Sequence, residues 1–285
     1  MSGPAGALDG AERAGHAAAG EQERPAGARS GLRAVALPSE HGGWGLTAEP
    51  VLLGLLVAQS ASGWLLGAAA MTAFLARTPL KLALVDLVRH RWLPRSRKAV
   101  LVAGCELALL AVLAGVVTAR SGHGWWAPLV AALPLVGVEM WFDVRSRGRR
   151  LTPELCGALG IASVAVAIAR VGGTSWTVAI GLWVVLAARS VGAVPLARAQ
   201  VARWRSRPVG LTLPRGAQAA AVVVALAGRA TGSVPLAPAL AIAVAAGWGL
   251  WSLQHPPVQP KVLGYSQMAI GLALVLVTAG AWRLG

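Results

Sequence analysis

Acidic side chains are scarce in this chain: 285 residues include 11 Asp and Glu, and none lies beyond Glu154. Charged residues of both signs reach only 13%, about half of the ~25% usual in soluble domains. That argues against an ordinary soluble enzyme. Cysteine is limited to Cys105 and Cys156, both inside apolar stretches, so a disulfide framework is excluded. Aromatics other than tryptophan amount to one Tyr and two Phe. The sequence has no Cys/His metal spacing, no phosphate-binding glycine loop, no GxSxG elbow and no dinucleotide fingerprint.

Apolar residues and positive charge dominate instead. Hydrophobic types make up 56%, and the formal net charge is +15. Mean hydropathy is +0.62. A basic balance on a charged polymer would suggest nucleic acid. On a mostly apolar chain it points to an integral membrane protein with its basic residues sorted to one side, and to no nucleic-acid partner. The bilayer is therefore the first expected partner.

Residues 1–35 are rich in Gly, Ala, Glu and Arg with few large apolar side chains. Such a stretch cannot offset its ordering entropy, and it reads as a disordered cytoplasmic tail. It contains no apolar core of a cleavable signal peptide. Residues 36–285 read as one all-α transmembrane domain. A spanning helix needs about 20 apolar residues. That rule predicts helices near 43–60, 63–84, 99–119, 125–142, 153–170, 175–195, 214–230, 234–252 and 263–282. The breaks between them carry turn chemistry, such as Ser60-Ala61-Ser62-Gly63 and Thr231-Gly232-Ser233. Thr152-Pro153-Glu154 reads as a cap, a first-turn proline and an acid opening the fifth helix. Residues 50–76 carry no charge, so the first two helices could also be one long tilted span, giving eight.

Alternate loops differ sharply in charge. Those after the second, fourth, sixth and eighth helices hold 17 Arg and Lys, and the opposite side holds 4. The basic side is expected to be cytoplasmic. Nine spans then put the N-terminus inside and the C-terminus outside, in a bacterial plasma membrane. Tryptophans cluster near both expected interfaces, where an apolar ring with one polar N–H is favoured.

A faint internal repeat appears at an offset of 112 residues. Ala76-Arg77-Thr78 with Arg91-Trp92 matches Ala188-Arg189-Ser190 with Arg203-Trp204. It aligns helices two, three and four with six, seven and eight. This is the pattern of a four-helix parallel repeat plus one helix, and such repeats tend to bind ligands between their halves.

Polar groups inside apolar helices are costly and usually face a bundle interior or wet cavity. Glu49 precedes Pro50 within the first helix; it reads as functional or as the partner of an arginine such as Arg77. Glu106 lies well inside the third, as a proton-linked group or a hydrogen-bonded core residue. Glu139 and Asp143 share one face of the fourth, either to bind a cation or to pair with Arg147 or Arg150. Arg77 and Arg189 offer bidentate guanidinium groups to an anion, or snorkel to the interface. Asp86 lies in the first basic loop and has a local pair as its simpler reading. His41 sits in Pro38-Ser39-Glu40-His41-Gly42-Gly43-Trp44 at the entry to the first helix, where an imidazole titrates near neutral pH.

The Pro38-x-x-His41-Gly42-x-Trp44 string, the Ala188-Arg189-Ser190-Val191 stretch and Pro260-Lys261-x-x-Gly264 resemble the YwiC-like family of bacterial membrane proteins. The resemblance spans roughly residues 36–282 and implies a polytopic membrane protein without a settled activity. A more distant likeness is to UbiA-type membrane prenyltransferases, which also have about nine helices with long cytoplasmic loops after the second and sixth. Those enzymes hold Mg²⁺ and a diphosphate on Asp-rich motifs in both loops. Here the first loop offers only Asp86, and the second offers no acid between Arg198 and Arg215.

These readings converge on a cytoplasm-facing polar site built from His41, Glu49, Arg77, Asp86, Glu139, Asp143 and Arg189, with Glu106 as a further candidate. The leading expectation is a transferase-like protein acting on an anionic lipid or isoprenoid; the sequence names no cofactor, and Mg²⁺ enters only under that reading. The alternatives are a small-solute or proton-coupled transporter and a structural or assembly role. No protein-held metal site is expected from the sequence itself.

Overall fold

The computed structural model describes residues 41–90, 92–145 and 150–284. The tail, Pro38-Ser39-Glu40, Arg91, Arg147 and Arg149 lie outside the described residues, as does the side chain of His41. Among the described residues the chain is all helical, with no strand. The elements are α1 (His41–Val57), α2 (Ala61–Val88), α3 (Pro94–Ser121), α4 (Trp126–Val144), α5 (Leu151–Val171), α6 (Trp176–Trp204), α7 (Thr212–Ala230), α8 (Leu236–Gln254) and α9 (Pro260–Leu284). Seven of them are long and apolar enough to cross a membrane. The exceptions are α1, whose apolar part is the shorter Trp44–Val57, and α7, which carries Arg215, Gln218 and Arg229.

Residues 41–88 form two helices. The break follows Val57, and Ser60 caps α2 by accepting the Gly63 N–H at 2.9 Å. Ser175 caps α6 in the same way through Val178. The start of α5 departs from the expectation. It begins at Leu151 with Arg150 at the cap position, so Thr152 is already helical and Pro153 and Glu154 occupy the first turn. Proline is tolerated there because the first-turn N–H groups have no helical partner.

Helices joined by tight connections run alternately up and down. The connections after α2, α4, α6 and α8 therefore share one end, here called the basic end. α2 and α3 each have 28 residues and α6 has 29, about 42 Å at 1.5 Å per residue. That exceeds a 30 Å hydrocarbon layer, so these helices project beyond it.

Some helix pairings recur between α1–α4 and α5–α8, although α7 packs on α8 without a like pairing of α3 and α4. α1 packs on α2 as α5 packs on α6; α2 packs on α3 and α4 as α6 packs on α7 and α8; α4 packs on α5 as α8 packs on α9. The centre is where the halves meet, with α1 seated against α5, α9 and α6. Leu53, Ala162, Ala165, Leu182 and Val275 are fully buried there. Lipid tails are as apolar as leucine, so close backbone approach between small residues holds such helices together. Gly54 shows the requirement: a Cβ placed on it would sit 2.8 Å from the Ile168 Cβ of α5.

Helices α3 and α4 lie at the rim. Leu101, Leu109, Val112, Val130 and Leu133 are exposed, as lipid-facing side chains must be. Most tryptophans are exposed near helix ends, among them Trp64, Trp92, Trp141, Trp176 and Trp251. Trp183, Trp248 and Trp282 are partly buried, and Trp125 is buried against α2, α3 and α5 residues.

Candidate functional site

Two separate charged clusters replace the single site expected from sequence. The first lies at the middle of the bundle. Glu49 is the central residue of the 17-residue α1, and Arg189 is close to the middle of α6. Their side chains are 12% and 8% exposed, with Arg189 Nη2 3.9 Å from Glu49 Oε1. The same Nη2 donates to the Gln267 carbonyl of α9 at 2.7 Å. Arg189 Nε is buried and donates to no protein atom. Thus the partner of Glu49 is Arg189, not Arg77.

Local sequence explains the geometry. Pro50 has no N–H, so the carbonyl one turn earlier loses its helical partner, and α1 is loosened beside Glu49. Across the interface stands Gly271 of α9, and a Cβ there would overlap the Glu49 carboxylate. Gly271 is thus what admits the carboxylate between the helices.

Beside Arg189 is a cavity of about 20 Å³, lined by Gly192, Gln218, Ala221, Trp248 and Gln267, enough for roughly one water-sized group. Gln218 of α7 is buried and donates to the Gly192 carbonyl at 2.8 Å. Attraction across about 4 Å is worth about 4 kcal/mol at an effective dielectric of 20, and desolvating both charges offsets most of it. The pair therefore adds little net stability, and a buried ion pair at the middle of an apolar bundle calls for a functional explanation.

The second cluster lies nearer the basic end. Arg77 Nη2 is 2.6 Å from Glu139 Oε1 and 2.8 Å from Asp143 Oδ2. Lys81 Nζ reaches Asp143 Oδ1 at 3.0 Å. Two cations one turn apart on α2 thus face two carboxylates one turn apart on α4. Asp143 is 2% exposed, whereas Arg77 and Lys81 are 37% and 41% exposed. The glutamate again rests against glycine, here Gly157 of α5. Of the expected partners, Arg147 lies outside the described residues, and among those described both carboxylates meet side chains of α2.

Asp86 is apart from both clusters. It is buried at the end of α2, accepting from Ser96 at 2.6 Å and facing Arg95 at 3.3 Å. It ties the α2–α3 turn together. Glu106 lies near the middle of α3 without any of the other candidates, and its Oε2 has no hydrogen-bond partner. Glu154 pairs with Arg198 at 2.8 Å, bridging α5 and α6. The acids do not suit Mg²⁺, because Asp86 and Asp143 sit in different clusters and each is already engaged by basic side chains. Among the described residues no three metal-capable groups converge.

Sequence reasoning missed Lys81, Gln218, Gly157 and Gly271. Lys81 was detectable, since Arg77 and Lys81 repeat the four-residue spacing of Glu139 and Asp143. The glycines carried no signal, because 35 glycines are scattered through the chain.

Apolar helices, lipid-suited rims and charges withdrawn into the bundle define a multi-pass membrane protein. Over residues 37–169 the chain matches the YwiC-like protein family. The match takes in α1 to α4 and nearly all of α5, hence Glu49 and the whole Arg77 cluster. It ends before Arg189, so the stretches at 188–191 and 260–264 lie beyond it. No curated protein and no solved structure matches the chain.

Proposed function

We propose that this protein is a proton-coupled transporter of a small solute in the bacterial plasma membrane. Its N-terminus and basic loops face the cytoplasm, as the charge asymmetry of the loops favours. The observation that carries the reading is the Glu49–Arg189 pair. It joins a helix of the first half to one of the second near mid-span, where repeat-built transporters bind substrate and coupling ions. A carboxylate there is suited to move a proton. The Arg77–Glu139–Asp143–Lys81 cluster then ties α2 to α4 on the cytoplasmic side, as an inner closure.

Transfer to an anionic lipid or isoprenoid is the weaker reading. Its metal–diphosphate step needs free acids near the cytoplasmic face, and the two aspartates there are neutralised by the protein's own cations. The test is solute-driven proton flux into proteoliposomes with an entrapped pH dye, surveying inorganic anions, carboxylates, amino acids and sugars. One class is expected to acidify the lumen, and Glu49→Gln to abolish that signal. No signal from any class, or an unchanged signal in Glu49→Gln, refutes the reading.

A further inference from the structure

The cavity at Arg189 bears on what the solute is. Its lining is apolar apart from Arg189, Gln218 and Gln267, and the described lining contains no carboxylate. Arg189 is more than nine-tenths buried and has an N–H with no acceptor. A buried donor left unmatched is costly, and a charged one more so. Gln218 has committed its amide N–H to Gly192. What the cavity lacks is an acceptor carrying negative charge, and its size, close to that of one water molecule, admits a monatomic anion or one oxygen of a slightly larger one.

The charge balance fixes the stoichiometry. Among the described residues, Arg189 is the charge that acts on Glu49. From α9, Glu49 meets Gly271, with the Gln267 carbonyl held by Arg189. α2 and α5, which also pack on α1, carry Arg77, Lys81, Asp86, Glu154 and Arg170, and none of these acts on Glu49. The empty pair is neutral. Adding an anion alone would leave one uncompensated negative charge in a low-dielectric interior, which is strongly disfavoured. Adding an anion to Arg189 together with a proton to Glu49 keeps the centre neutral.

Resting on the transport reading above, we propose that the cavity beside Arg189 binds a small monovalent anion, such as a halide or formate, and that Glu49 takes up one proton with it. Binding breaks the Glu49–Arg189 contact: the guanidinium turns from the carboxylate to the anion, and the carboxyl becomes neutral. One anion and one proton move together, so transport is electroneutral. By linkage, each ligand strengthens the other.

The test is calorimetric titration of the purified full chain with chloride and with formate, in two buffers of different ionisation heat. The wild type is expected to bind with uptake of about one proton, its affinity falling ~10-fold per pH unit where Glu49 is ionised in the empty site. Glu49→Gln is expected to bind with no proton uptake and no such pH slope. Arg189→Gln is expected to lose binding. Should that variant not fold, Ala245→Leu fills the cavity while leaving the ion pair in place, and is also expected to lose binding. No binding by the wild type, wild-type affinity in Ala245→Leu, or a proton count of zero overturns the proposal. Proton-linked flux of other solutes without anion binding removes the anion site and leaves the transport reading. Anion binding with its proton but no flux in proteoliposomes removes the transport reading and leaves the site.

Discussion

The Arg77 cluster permits a graded stability prediction, because its members differ in burial and in the number of partners. Asp143→Asn keeps the shape and removes the charge. Asp143 accepts from Arg77 at 2.8 Å and Lys81 at 3.0 Å, and charge-assisted bonds contribute about 1.5–3 kcal/mol each. Both donors are more than a third exposed, so water screens them and lets them reorient. The net cost is then about 2–3 kcal/mol rather than the sum. Arg77→Met removes the guanidinium shared by Glu139 and Asp143, leaves the almost wholly buried Asp143 only Lys81 of its two cations, and costs about 3–4 kcal/mol. Lys81→Met leaves Asp143 its arginine and costs about 1 kcal/mol. At roughly 2–4 °C per kcal/mol for a chain of this size, Asp143→Asn lowers Tm by about 4–12 °C. The assay is thermal unfolding in detergent, followed by tryptophan fluorescence. The order Arg77→Met, Asp143→Asn, Lys81→Met is the content of the prediction. A Lys81→Met loss equal to that of Arg77→Met, or an unchanged Tm in Asp143→Asn, refutes this account of the cluster.

Gly271→Ala is expected to drive the Glu49 carboxylate from its seat and reduce proton-linked flux at least ~10-fold, through displacement by one methyl group. Gly247→Ala on α8, where a Cβ meets nothing within 4 Å, is expected to leave flux intact; equal effects would remove the special role of Gly271. Asp86→Asn is expected to loosen the α2–α3 turn and lower Tm by a few degrees, with flux per folded molecule unchanged, because Ser96 and Arg95 are local partners. A flux loss exceeding the loss of folded protein would place Asp86 in the pathway. A reporter fused after residue 285 is expected to be active outside the cytoplasm; cytoplasmic activity contradicts nine spans with the N-terminus inside.

Helix positions were legible because they depend on one-dimensional quantities. Length in apolar residues, turn residues at Ser60 and Ser175, and the spacing of basic loops are all local. The α5 start was misjudged because proline fits several first-turn positions, so Thr152-Pro153 did not fix the register. Pairing was less accessible. Glu139 and Asp143 had arginines close by in sequence, yet their partners came from α2. A side chain on one helix face meets the facing helix more readily than the loop after its own end. The closeness of Arg150 along the chain was therefore a poor guide.

The absence of acids beyond Glu154 has a further consequence. At the 112-residue offset Arg77 corresponds to Arg189, while Glu139 and Asp143 correspond to Trp251 and His255. Those two rings stack on each other with centroids 4.1 Å apart and supply no negative charge. Arg77 is therefore neutralised within its own half, on two carboxylates at normal hydrogen-bonding distance. The one acid of the second half, Glu154, is held by Arg198, and Arg189 meets Glu49 of α1 instead, at 3.9 Å. This contact joins α1 to α6, and it is the looser of the two. A guanidinium held by a distant carboxylate, one backbone carbonyl and an open N–H is poised to exchange its partner for a ligand. The equivalent arginine in the first half, closed by Glu139 and Asp143, is not. Under the proposed transport reading, the asymmetry in acid content would divide the labour between the halves, with the first forming a closure and the second providing the binding site.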